Sequence, residues 1–496
     1  MSDLNTAWMI GGLAVYLAVV FCISLIVARR RRAKSMFEFF SAGRSVGSLA
    51  MSLTMFATLF SAFTMVGMPG FFYTHGVGAW GFVVFGDLAL AFVFYFYGIR
   101  VVRLAREHNL SSPIELLWVT YRSRAVTSAA VIIMSVFIIP LFAIQIAGMG
   151  KLLAGATAGN IPYWAGAAVM LAAMSAYSLI GGLRADIWTD VVQGIVMLVL
   201  VVVVCWVFIA KEWAGSIAAM FEALAQQGKG AWLSLPGPAK FFSLPALISF
   251  FILFLLVPVT FPQMVTRFYA TKSEKVVART MIAFPLLTLI MFIPAALIGL
   301  GATTVFDLKS GDLVMGEVLR RYVHPGVAAL FAVGVIAAAM STADSVLLAI
   351  GSVFARDVYA PLARPEASEK EQMWAARGVM LVLMVGGLIV ALEPPNLIVQ
   401  LSILSLEGMA ILAPVYIGSL TTAGRSPAAA ISSIVVGFAV FLACEVLIPR
   451  PWLAGFRSGL VAVAAAGACF ALVATIGARR RMAAVQGGPR DGIVPS

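Results

Sequence analysis

The sequence predicts an all-α, polytopic membrane protein, and three observations predict it. Of 496 residues, 62% are hydrophobic and only 11% are charged, a balance that soluble domains of this length do not show. The apolar residues gather in continuous runs of about twenty, long enough to cross the hydrocarbon core as helices. A membrane β-barrel would show short alternating segments instead. Basic residues also collect in alternate connections between the runs.

About thirteen spans follow, at 7–28, 47–73, 78–99, 125–150, 162–183, 186–210, 242–265, 280–306, 325–354, 376–393, 396–420, 427–448 and 457–477. They form one transmembrane domain over 1–477. The polar stretches between them (29–46, 212–241, 307–324 and 355–375) are too short for a soluble catalytic domain. Residues 478–496, with Gly487, Gly488, Pro489 and Pro495, read as a disordered tail. Span one carries Asp3 and no Lys or Arg ahead of it, and its arginines follow the apolar run, so it is expected to remain as a helix rather than leave as a secretory signal.

The formal charge of +12 is distributed as a topology signal. With the N-terminus outside, 25 of the 34 Lys and Arg residues fall on the cytoplasmic side. They include Arg29 to Arg32, Lys34, Arg100, Arg103, Arg106, Arg184, Arg267, Arg356, Arg425, Arg479 to Arg481 and Arg490. The expectation is a multi-pass protein of the plasma (cytoplasmic) membrane, a cell inner membrane in this setting, with N outside and C inside. The basic excess then serves orientation and attraction to anionic lipid, not nucleic acid. Cys22, Cys205, Cys444 and Cys469 lie inside apolar runs without metal-type spacing, and His75, His108 and His324 lie near span ends. No cofactor or enzymatic centre is expected.

The most informative stretch is Ala338-Ala339-Met340-Ser341-Thr342-Ala343-Asp344-Ser345, inside span nine. Hydroxyls and a carboxylate at that depth are costly unless they have work to do. On a helix Ala338, Ser341, Thr342 and Ser345 share one side, with Asp344 at its border. Oxygen ligands on one face suit a small hard cation, so this is a candidate sodium or proton site.

Spans two and seven are interrupted alike. Span two reads Ser61-Ala62-Phe63-Thr64-Met65-Val66-Gly67-Met68-Pro69-Gly70, and span seven reads Val257-Pro258-Val259-Thr260-Phe261-Pro262-Gln263. Gly67 and Pro262 lie 195 residues apart, as do the starts of the two spans at 47 and 242. Broken helices at matching places in two halves point to an inverted-repeat transporter, with repeats over 47–210 and 242–420 and peripheral helices at 7–28, 427–448 and 457–477. Between spans five and six, Gly181-Gly182 breaks the chain, and Asp186, Asp190 and Gln193 follow on one helical face. Asp190 lies deeper than Asp186 and is the better ion-pathway candidate; a structural hydrogen bond is its alternative role.

Together these segments resemble the sodium/solute symporter family. The likeness rests on Phe40 to Gly47, Ser61 to Gly70, Gly181-Gly182 with Thr189-Asp190 and Gln193, Arg267-Phe268, Met340 to Ser345, and Arg356-Asp357-Val358-Tyr359. It implies a five-plus-five inverted-repeat (LeuT-type) core and sodium-driven import of a small organic solute by alternating access. It further implies a sodium site of the Ala57, Phe60 and Ala338 carbonyls with the Ser341 and Thr342 hydroxyls. A second sodium site, present in some members, would use Asp190, Ser341, Asp344 and Ser345, although Asp344 replaces a neutral residue of several members. The solute would meet Ser61, Phe63, Thr64, Gly67, Gln145, Thr260 and Gln263.

Leu59 stands where the proline permeases carry a carboxylate. Gln145-x-x-Gly148 and Glu407-Gly408 are most similar to the pantothenate and monocarboxylate branch, which favours an organic anion. Glu407 is open to a gating, proton-linked or ion-pairing role. The alternatives are a sodium- or proton-coupled amino acid symporter of the proline kind and, further off, a channel or membrane sensor. The expected partners are the solute, Na+ and the lipid bilayer, with no nucleic acid; the oligomeric state is left open.

Overall fold

The computed structural model describes residues 2–30, 35–156, 160–392, 398–421, 426–449 and 453–486. Arg31, Arg32, Lys34, Arg425 and Arg490, all counted above, lie outside these residues, as does the tail beyond 486.

The described chain is helical almost throughout. Ten helices are long and apolar enough to cross a membrane, or up to twelve when each of two sharply bent pairs counts as one span. The count of thirteen therefore remains an expectation, because span five's apolar helix, Tyr163–Met174, is shorter. The ordinals above are kept as names. Span one is Ser2–Arg30, span three Phe85–Glu107, span four Arg124–Ala154, span eight Glu274–Val305 and span nine Pro325–Val353. Span ten is Glu369–Leu392, span eleven Ile398–Ala410 with Ala413–Gly418, and span twelve Pro427–Leu447. Span thirteen runs Ser458–Gln486, so the helix continues into the stretch expected to be a disordered tail.

Spans five and six are one helical run, Tyr163–Glu212, kinked at Gly182 (φ 61°, ψ −169°). Only glycine takes that backbone without strain, and a Cβ there would stand 2.7 Å from the Phe39 ring. Spans two and seven are the bent pairs. Ser48–Leu59 meets Phe63–Gly78 at 67°, and Leu244–Thr260 meets Pro262–Ala270 at 51°. The first break falls at Phe60–Ser61, not at Gly67–Pro69 as the breaker residues suggested. Pro69 lies inside that second helix, just past a wide turn over Phe63–Gly67 in which Met68 N donates to Phe63 O. Phe60 (φ −90°, ψ 119°) and Phe261 (φ −79°, ψ 118°) adopt nearly the same extended backbone. Below the breaks the two helices are tied together: Val46 N donates to Ala270 O (3.2 Å) and Lys272 N to Val46 O (3.0 Å).

Span nine is the hub. Its apolar window is 78% buried, against 17% for span thirteen, whose outer side is left for lipid. It packs on spans one, four and six and on both broken helices. Span one is less peripheral than expected. Its Tyr16 is buried between spans six and nine, accepting from Gln193 Nε2 (2.7 Å) and lying 3.7 Å from Met340 Sδ.

Candidate functional site

The break in span two removes the amide donors that its last carbonyls would meet in a continuous helix. Ser61 N donates instead to Thr64 Oγ1 (3.4 Å), while Ser61 Oγ accepts from Phe63 N (3.3 Å) and so starts the second half of the span. The carbonyls of Ala57 and Thr58 are met from across the interface by span nine. Ser341 Oγ lies 2.8 Å from both Ala57 O and Ala338 O, and Thr342 Oγ1 lies 3.3 Å from Thr58 O and 3.4 Å from Ala338 O. Four of the five residues of the expected sodium site thus converge, buried and without a charged group among them. The fifth, Phe60, is the residue at which the helix turns, and its ring packs on Phe56, Phe284 and Phe292. The Thr58 carbonyl is an addition that residue type could not signal, since a carbonyl is common to all residues.

One turn along, the arrangement changes from neutral to ionic. Arg267 of Pro262–Ala270 is wholly buried and pairs with both Asp186 and Asp190, the latter at 3.0 Å. Its guanidinium also reaches Ser345 Oγ, Thr54 Oγ1 (3.3 Å) and Gln263 O (3.3 Å). Thr54 donates in turn to Asp190, and Thr58 Oγ1 lies 3.4 Å from it. The charge count put Arg267 among the basic residues of the cytoplasmic side, just past span seven. The helix continues past 265 to Ala270, all nine of its residues are buried, and the Arg267 guanidinium is met by two carboxylates from span six.

The four residues of the second sodium site are therefore divided. Asp190 and Ser345 belong to the Arg267 cluster, Ser341 faces the Ala57 carbonyl, and Asp344 accepts from Ser178 Oγ of span five (2.7 Å). Glu407 is ion-paired: its Oε1 lies 2.6 Å from Arg457 Nε, and its Oε2 accepts from Gly459 N (3.1 Å).

The solute candidates gather unevenly. Ser61 and Thr64 are buried at the break and Phe63 is half-buried beside it. A Cβ on Gly67 would stand 2.8 Å from the Phe63 ring, so the missing side chain makes room for that ring. Span four meets the break where Gly148 faces Ala62, and Gln145 lies one turn away, its Nε2 donating to Leu141 O (3.4 Å). Thr260 turns back to Leu256 O (3.1 Å), whereas Gln263 keeps a buried Oε1 with no hydrogen-bond partner among the described residues.

A profile of the Sodium:solute symporter family matches residues 39–437, which contain both broken helices and the span-six and span-nine residues just described. The chain belongs to that family. It is 28% identical over 405 residues to the sodium/pantothenate symporter of Escherichia coli (strain K12), covering 80% of this chain and 82% of that one. The sodium/pantothenate symporter of Haemophilus influenzae is 26% identical over 406 residues, with 80% and 82% covered. Among solved structures, the outward-open, substrate-bound state of a Na+-coupled sialic acid symporter aligns with a TM-score of 0.79 at 21% identity, over 95% of this chain and 98% of that one. The fold is thus the LeuT type. The symporter is a multi-pass membrane protein that couples Na+ to the movement of a small organic solute; it is a transporter, not an enzyme.

Proposed function

We propose that Na+ binds between spans two and nine on the Ala57, Phe60 and Ala338 carbonyls and the Ser341 and Thr342 hydroxyls, with the Thr58 carbonyl as a further ligand. The observation that carries this reading is the meeting of span-nine hydroxyls with the carbonyls of the broken helix. Neutral oxygens suit an ion that must be released on each cycle. Bound there, Na+ fixes the angle of span two and so completes the solute pocket at Ser61, Phe63, Thr64, Gly67 and Gln145, with Thr260 and Gln263 from span seven. The coupling is the reciprocal gain in affinity between ion and solute.

The solute is a small organic anion, pantothenate or a monocarboxylate; both relatives named above are pantothenate symporters, which supports that branch. A second Na+ would need Asp190 to exchange its arginine partner for the ion. The repeats, 47–210 and 242–420, rock against one another in a plasma membrane, with the N-terminus outside and the C-terminus inside. Inward movement of one Na+ then supplies about 2.3 kcal/mol per 100 mV in addition to its concentration gradient. A panel of pantothenate, short monocarboxylates and proline, assayed in proteoliposomes with and without a sodium gradient, tests the reading. Sodium-dependent uptake of an anion is expected. Sodium-dependent uptake of proline alone would transfer the assignment to the amino acid branch.

A further inference from the structure

One carboxylate in the membrane-spanning bundle has no part in the ion and solute sites above. Asp87, in Phe85–Val93 of span three, is 1% exposed, and no hydrogen bond or ion pair reaches it among the described residues. Its buried counterparts differ: Asp186 and Asp190 share Arg267, Asp344 accepts from Ser178, and Glu407 has Arg457. An ionised carboxylate in that position would keep the full cost of desolvation.

A second unpartnered group lies on span eight, which packs against this segment of span three. Spans three and eight run antiparallel, fixed by the Arg103–Glu274 ion pair (3.1 Å) and the Phe94–Phe284 ring contact (5.3 Å). Continuing that register toward Asp87 reaches span eight within about one turn of Thr288. The Thr288 hydroxyl is buried and has no hydrogen-bond partner among the described residues. Thr288 also shares a helical face with Phe284 and Phe292, which both pack on the ring of Phe60, the residue where span two breaks. Both unpartnered groups therefore belong to helices packed behind the break.

We propose that Asp87, with Thr288, is a proton-binding site of the carrier: it holds a proton in this conformation and passes it to water when the rocking of the helices hydrates the gap. A proton suits a buried carboxylate that no cation or donor meets, because it removes the charge without calling for further oxygen ligands. No charged residue or histidine occurs in Leu244–Thr260, which packs on this segment, or in span eight beyond Arg279. Glu274, Lys275 and Arg279 lie at the far end of span eight, and Glu274 is held by Arg103. On span three, Arg100, Arg103, Arg106 and Glu107 lie beyond Gly98, Tyr95 is exposed, and the Tyr97 hydroxyl donates to Val259 O (3.3 Å).

The test is sodium-driven uptake across pH at saturating sodium. Wild-type uptake is expected to fall toward alkaline pH with the slope of one proton, about tenfold per unit at the limit. Asp87→Asn, an amide isostere of the neutral acid, should transport at neutral pH and lose that fall. Superimposable pH profiles overturn the proposal, as does an inactive Asp87→Asn protein with an unchanged melting temperature. If that variant is not recovered from membranes, Thr288→Val decides. Removing the hydroxyl that would solvate the carboxylate should move the alkaline limb to higher pH, and an unmoved limb counts against the site. A profile that falls instead toward acid pH, and that is lifted when sodium is raised from below saturation, means that protons compete with sodium at the span-nine site, and it overturns the role of Asp87.

Discussion

The two broken helices turn at residues of almost the same backbone shape, yet they are held by different means. Span seven is broken by its own covalent structure. Pro258 and Pro262 flank the turn, neither has an N–H to offer the ladder, and a residue before proline is steered to extended backbone. Span two has no proline at its turn. Its break is maintained by polar side chains: Ser61 and Thr64 close the second half, and Ser341 and Thr342 of span nine meet the carbonyls left open below. A break held by hydroxyls can exchange a hydrogen bond for an ion. A break held by proline cannot. This difference favours span two for the proposed sodium site, while span seven carries the fixed cation Arg267.

The strongest way to break the comparison is to remove that fixed cation. Arg267→Leu leaves Asp186 and Asp190 buried with no counter-charge, a loss of about 3–5 kcal/mol for an unpaired buried ion. The purified variant is expected to melt well below wild type, or to be absent from the membrane fraction. Adding Asp186→Asn and Asp190→Asn should restore part of the loss. A wild-type melting curve for Arg267→Leu alone would mean that the cluster does not hold span seven.

The next effect falls on span two and should spare the fold. In Ser341→Ala with Thr342→Ala, both hydroxyls of the proposed sodium site are lost while the helix is kept. Half-saturation for sodium is expected to rise tenfold or more, about 1.4 kcal/mol. The melting temperature without sodium should move little, since each hydroxyl hydrogen bond contributes only about 1 kcal/mol net. Uptake that keeps its wild-type sodium dependence would remove these residues from the ion site.

Most of this architecture is legible in the sequence because lipid punishes polar groups. Ser341, Thr342 and Asp190 stand out in apolar runs for that reason, and the family resemblance ties them to sodium. What the residues do not announce is tertiary supply. Arg267 looks like the first charge past a span end, and only span six, far upstream, turns it into a buried counter-ion. The break in span two lies at Phe60 because hydroxyls cap it, whereas Gly67 and Pro69, the obvious breakers, fit inside the helix that follows. Asp344 adjoins the ion ligands in sequence, but its bond to Ser178 depends on how span five packs.

A smaller effect separates the two breaks on the span-two side. Ser61→Ala removes the hydroxyl that accepts from Phe63 N at the start of the second half, a loss of about 1 kcal/mol for a helix cap. Because the same turn sets the Ala57 and Thr58 carbonyls, sodium and solute affinities should weaken together, each by a few-fold. A change in solute affinity alone would make Ser61 a pocket residue with no hold on the break.

The smallest expected effect comes from Pro262→Ala, and it is also the sharpest test of the contrast. The substitution restores an N–H and releases Phe261 from its steric restriction, so the helix can close across the turn. The unfolded chain gains freedom worth only about 0.4–1 kcal/mol, so folding should survive. Gln263 and Thr260 would shift relative to the pocket, and solute half-saturation is expected to rise a few-fold. Sodium half-saturation should stay at its wild-type value, because no proposed ion ligand lies on span seven. If it instead rises in step with the solute value, the two breaks move as one mechanical unit and the distinction between a hydroxyl-held and a proline-held helix has no functional weight.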